Sequence, residues 1–174
     1  LDGGYKRYRT EVLRFLNGAA TGNGARTKVC LVPPAPIHAP CLFLTCARQR
    51  SKGLAALEAA IQAQRDIFTR ESGYLRAMYI LWYESLGRES DIRASLASHH
   101  VIYRRDVQQW IEQGQAAGEI RTDVDPAHFA TGYCSTMFGT IYQWVVAPDA
   151  IDLEAFFEHF AATVTVAITQ QRGD

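Results

Sequence analysis

The sequence predicts an all-α fold, a helical bundle over residues 51–174 preceded by a region of different grammar. Three observations carry this. Apolar residues recur every three or four positions through most of the second region, the spacing of amphipathic helices. Cap-forming residues punctuate those stripes at the expected places. No stretch shows the strict alternation of a half-buried strand.

The helices follow in order. Over 54–68, Leu54, Leu57, Ile61 and Phe68 form one stripe, with Glu58, Gln62, Arg65 and Asp66 off it, and Gly73 is placed as a stop. Segment 74–86 is apolar on nearly every side (Leu75, Met78, Tyr79, Ile80, Leu81, Trp82, Tyr83), which predicts a helix buried among others. In segment 91–117, Ile92, Leu96, Tyr103, Val107, Trp110 and Ile111 recur at helical spacing, with Ser90 as start cap and Gly118 as the left-handed residue at the end. After a polar turn, Asp125-Pro126 pairs a capping acceptor with a proline in the first turn. That helix should run to Val146 and stop before Pro148. Asp152 caps the last helix, whose face carries Leu153, Phe156, Phe157, Phe160, Val164 and Ile168.

Residues 1–50 read differently. Four of six prolines (Pro33, Pro34, Pro36, Pro40) and three of four cysteines (Cys30, Cys41, Cys46) sit there, while all three tryptophans lie beyond residue 50. Proline at that density is incompatible with a helix interior or a central strand. The charge divides at the same point. The whole chain balances 18 Lys+Arg against 18 Asp+Glu, yet residues 1–50 hold eight basic residues against Asp2 and Glu11, so the arm carries +6 and the body −6. A basic arm on an acidic body points to a polyanionic partner for the arm.

Composition excludes other classes. At 48% hydrophobic and 21% charged, the chain can bury a core and is not of disordered type. No apolar run approaches the roughly 18 residues of a membrane span, and Leu1 onward does not read as a signal peptide, so no membrane partner and a cytoplasmic location are expected. Phosphate-binding glycine loops, Gly-x-Ser-x-Gly elbows and Glu-x-x-His metal pairs are missing from the sequence, so an enzyme is not expected, nor a cofactor. Of His99 and His100, adjacent on one helix, one is expected to be exposed. Cys134 reads as a small core residue. In the arm, Cys30, His38, Cys41 and Cys46 offer zinc-type ligands without two Cys-x2–4-Cys knuckles to form a pair, an alternative reading for that region alone. A helical interaction module without DNA binding is the other alternative.

Residues 51–171 resemble the effector-binding and dimerisation region of TetR-family transcriptional regulators. The resemblance rests on Gly118 to Ala130 (GEIRTDVDPAHFA), where a long helix ends at a glycine and Asp-Pro opens the next. It rests also on Ser51-Lys52-Gly53-Leu54 at the entry to the first helix, and on Gly139 and Trp144 late in the fourth. It implies a DNA-binding head within residues 1–50, where Gly3-Gly4-Tyr5 and Gly18-Ala19-Ala20 are the matching fragments and no recognition helix can be placed, so that region reads as degenerate or altered.

The resemblance further implies a homodimer that binds double-stranded operator DNA if the head folds, controlled by a small hydrophobic effector in the bundle. It places Tyr79, Trp82, Tyr83, Tyr103, Val107, Trp110, Tyr133 and Met137 as ligand-lining candidates, and Lys52 as a phosphate contact. The last two helices would pair across a two-fold axis through Gly132, Ser135, Gly139, Phe156, Phe157, Phe160 and Val164. Small residues at near-heptad spacing allow that close approach.

Overall fold

The computed structural model describes residues 51–70, 72–86 and 91–169. The readings of the arm, including its charge partner, its zinc-type ligands and the DNA-binding head, lie outside the described residues, as does the Ser90 cap. The described chain forms α1 (Gly53–Arg70), α2 (Ser72–Leu86), α3 (Asp91–Ala116), α4 (Pro126–Val146), a single 3-10 turn (Pro148–Ala150) and α5 (Leu153–Ile168). Among the described residues no helix is long and apolar enough to cross a membrane.

Helix α3 is the centre. It packs against α1, α2 and α4, while α5 lies against α1. The first stripe behaves as its spacing requires. Leu57, Ile61 and Phe68 are buried, joined by Ala56 and Ala60. Phe68 meets Phe157 of α5 with ring centres 5.9 Å apart. Each such side chain taken from water is worth roughly 1.5–3 kcal/mol. At the surface of the α1–α5 seam, Arg65 pairs with Glu154 and with Glu158, the latter at 3.3 Å.

Four helix ends converge on residues 118–125. Gly118 adopts φ +73°, a conformation in which a Cβ would clash with its own backbone, and so ends α3. The chain then doubles back, and the N–H groups of Glu119 and Ile120 both donate to the carbonyl of Gly114, at 2.8 and 3.2 Å. Gln115 donates its side-chain amide to the carbonyls of Arg121 and Val124, at 2.8 and 2.7 Å. The Arg121 N–H donates to the carbonyl of Ile168, at 2.8 Å, holding the end of α5. Asp125 accepts from the N–H of His128 at 2.7 Å, capping α4. The carboxylate of Glu119 accepts from the N–H of Leu54 at 3.2 Å, and the Gln113 amide oxygen accepts from that of Gly53 at 3.4 Å. These two bonds occupy donors at the start of α1 that have no partner within the helix.

The approach of α1 to α3 depends on glycine at position 53, and the return of the turn onto α3 depends on glycine at position 114. Gly53 has φ +57°, and a Cβ there would stand 2.5 Å from a Glu119 carboxylate oxygen and 3.2 Å from Gly114 Cα. A Cβ on Gly114 would stand 2.4 Å from Ile120 Cδ1 and 2.7 Å from its Cγ1, and Ile120 is fully buried.

Several expectations are corrected. The break between α1 and α2 falls before Ser72, and Gly73 lies inside α2, because one glycine costs a helix only about 1 kcal/mol, less than the packing of the apolar residues that follow it contributes. Both His99 and His100 face inward, His99 with 7% of its surface exposed, because α3 is flanked on three sides and adjacent positions both meet a neighbour. Helix α2 is not buried all round: Tyr83 and Leu86 are 52% and 69% exposed.

Two measurements check this account. Gly114→Ala gains helix propensity of up to about 1 kcal/mol but forces a methyl into Ile120, which typically costs 1–3 kcal/mol or more; urea denaturation should show a net loss, and unchanged stability would contradict the packing described. The hydrogen bond from the His128 N–H lowers the Asp125 carboxyl, and the Arg121 side-chain hydrogen bond lowers that of Asp123. A lowered native value lends stability that is full above the unfolded value near pH 4 and disappears as pH falls through the native one. The double variant Asp123→Asn, Asp125→Asn should therefore lose less stability than the parent between about pH 5 and 3.

Candidate effector cavity

Helices α2, α3 and α4 splay to leave a cavity of about 410 Å³, inside the usual range for small-molecule sites. Its wall is aromatic. Trp82 of α2 stands edge-on to Phe138 of α4, with ring centres 5.2 Å apart, and edge-on to His100 of α3, at 5.3 Å. His100 in turn lies against Phe138 at 4.9 Å. Tyr79, Tyr83, Ser85, Leu86, Leu96, Ala97, Gly139 and Tyr142 complete the lining among the described residues, and Arg93 adds a cationic side chain. Tyr83, Leu86, Arg93 and Tyr142 are exposed and form the mouth. Tyr79, Ser85 and Leu96 are buried at the inner end.

The hydroxyl groups of the inner wall are already engaged. Tyr79 donates to the Phe138 carbonyl at 2.6 Å, tying α2 to α4 across the cavity, and burial drives its phenol well above the ordinary tyrosine range. Ser85 donates to the Trp82 carbonyl at 2.7 Å. Burial first, then the nearby charges of Arg104 and His99, hold His100 below the usual histidine value, so its ring is neutral at pH 7.

Of the ligand candidates, Tyr79, Trp82 and Tyr83 line this cavity. Tyr103 is half-buried beside Phe138 and His100, at 6.3 Å from each ring, outside the lining. Val107, Trp110 and Met137 are buried in the core. Tyr133 is also buried, at hydrogen-bond distance (3.0 Å) from the amide oxygen of Gln64. Leu96 and His100 lie in the lining although sequence reading placed neither there; the only available signal was their position on α3 one turn apart, which matches a core stripe equally well.

Residues 78–169, more than half of the chain, match the model of the tetracyclin repressor-like C-terminal domain family. The chain belongs to this family. No curated protein and no solved structure matches it. In this TetR-like domain the matched stretch begins within α2 and ends just past α5, so it contains every residue that lines the cavity, from Tyr79 to Tyr142.

The dimer candidates fall in two groups. Gly132 and Ser135 are exposed on the outer face of α4, Gly139 is half-buried at the edge of the cavity, and a Cβ on either glycine would meet nothing within 4 Å. Phe156 and Phe160 are half-buried and stacked on each other at 5.5 Å. Phe157 and Val164 lie instead in the chain's own core, with 1% and 8% exposure, because α5 turns that stripe onto α1. Lys52 is exposed immediately before α1. Among the described residues no group of three or more His, Cys, Asp or Glu side chains is placed to hold a metal. Cys134 is a free, buried thiol that burial pushes up to about 11.

Removing the phenol that bridges the cavity tests its role in the frame. Tyr79→Phe leaves the ring and deletes the bond to Phe138, and should lower stability by about 1–2 kcal/mol in chemical denaturation. Unchanged stability would mean that the bond does not tie α2 to α4.

Proposed function

We propose that the protein is a homodimeric, TetR-like transcriptional regulator whose DNA binding is controlled by a small, apolar, planar ligand held between α2, α3 and α4. The observation that carries this reading is the ring-walled cavity inside the family-matched helices. Aromatic walls with few polar groups favour flat apolar molecules, which gain by burial and by ring contacts.

Dimer formation would use the outer faces of α4 and α5. Gly132, Ser135, Tyr142 and Val146 run along α4, and Val166 of α5 is 78% exposed. Bare glycines on an exposed helix face admit a second helix at short distance. Two chains around a two-fold axis would present two heads to a pseudo-palindromic operator, with Lys52 at the junction available to a phosphate.

Ligand must then favour one arrangement of the heads over another, or it regulates nothing. The route open to it is α3. That helix walls the cavity at Leu96 and His100 and meets α1 through Gly114 and the Glu119 clasp, and α1 follows directly from the arm.

Sedimentation of the full chain should give twice the 19.4 kDa chain mass. A planar aromatic binder present at about 100 times its Kd should raise Tm by roughly 5–10 °C, and should release the protein from DNA fragments selected by it from a random pool. A monomer, or a stabilising ligand that leaves DNA binding unchanged, would contradict the proposal.

A further inference from the structure

We infer that the effector is a planar aromatic acid, its rings filling the cavity and its anionic group at the mouth against the guanidinium of Arg93. The inference rests on the cavity being the effector site and adds the ligand's charge and chemical class.

The charges around the cavity are of one sign. Among the described residues of its lining Arg93 is the charged side chain, and no Asp or Glu occurs. The wall itself feels a positive charge. Burial lowers His100 most, the charge of Arg104 lowers it further, and no described carboxylate acts the other way. The body as a whole has the opposite character, since residues 51–174 carry −6. The smaller recess between α1 and α5, of about 250 Å³, shows the contrast: Glu58 and Glu158 border it together with Arg65. A positive mouth on a negative body draws anions to that place and turns them away elsewhere.

Hydrogen bonding places the anion at the mouth rather than at the inner end. An anion needs donors. Tyr79 and Ser85, at the inner end, direct their protons to backbone carbonyls, so those hydroxyls can accept from a ligand but not donate to it. A charge carried that deep would lose its hydration without compensation. Arg93 is exposed at the mouth, as are Tyr83, Leu86 and Tyr142. Its guanidinium has five N–H donors in a fixed fork, enough to take a carboxylate on two of them while others meet a neighbouring group. The fork also matches the planar carboxylate in shape. An anionic group held there keeps water on its outer side, and the rings behind it lie among Trp82 and Phe138. A planar aromatic acid is the ligand whose two ends match both parts.

The test compares 2-naphthoate with 2-naphthamide, which has nearly the same shape and no charge, by titration calorimetry on the full-length chain at pH 7. Wild type should bind 2-naphthoate about threefold or more tightly than the amide, the scale of an ion pair open to water on one side. That preference should shrink as salt is raised. Arg93→Gln, a change at an exposed position, should bind both probes alike. Arg93→Lys, which keeps the charge and loses the fork, should retain part of the preference. Equal binding of the two probes by wild type would overturn the inference while leaving the effector cavity intact. A preference for 2-naphthoate undiminished in Arg93→Gln would also overturn it, by placing anion recognition elsewhere. Failure of wild type to bind either probe would remove the effector cavity and this inference together.

Discussion

The structure depends on one short turn. Between Gly118 and Asp125 the backbone reverses, caps α4, and fastens the ends of α1, α3 and α5. Helices of 15 to 26 residues have little stability alone in water, and most of what they have in a protein comes from packing. Packing needs fixed relative positions, and a turn that bonds to four helix ends supplies them. Two glycines complete the arrangement: Gly53 lets the start of α1 come close enough to α3 for Glu119 to reach it, and Gly114 leaves room for Ile120 of the turn to pack onto α3.

This explains why the fold could be read so far from sequence. The turn's chemistry is local. Gly118 supplies the left-handed residue, and Asp125 and Asp152 supply acceptors at N-caps, each bonding to the third residue beyond. Such features are written in adjacent residues. The stripe from Leu57 to Phe68 is equally local, since its spacing of three and four residues is written within α1 itself. Reading failed where a position answers to more than one neighbour. His99 and His100 both turn inward because α3 is surrounded on three sides. Tyr83 and Leu86 stay exposed because α2 is covered on one side only near its end, and no pattern within α2 says so.

The cavity was legible as a type of surface and not as a place. Tyr79, Trp82 and Tyr83 line it because they share the second half of α2, where that helix stands apart from α3 and α4, whereas Trp110 and Met137 are also large and apolar and fill the core. Aromatic content cannot distinguish a wall from a filling, since that depends on where three helices separate. The charge balance of zero likewise concealed a division, +6 before Ser51 and −6 after it, that accords with a head for nucleic acid and a body for a ligand.

Central to this account is a flat ligand seated among α2, α3 and α4 of a two-fold dimer. A crystal structure of the full chain grown with a planar aromatic ligand that raises its Tm tests it most directly. The account predicts planar density between Trp82 and Phe138, in each of two chains packed along the outer faces of α4 and α5. A cavity left empty at saturating ligand, or density confined to another surface, would contradict it.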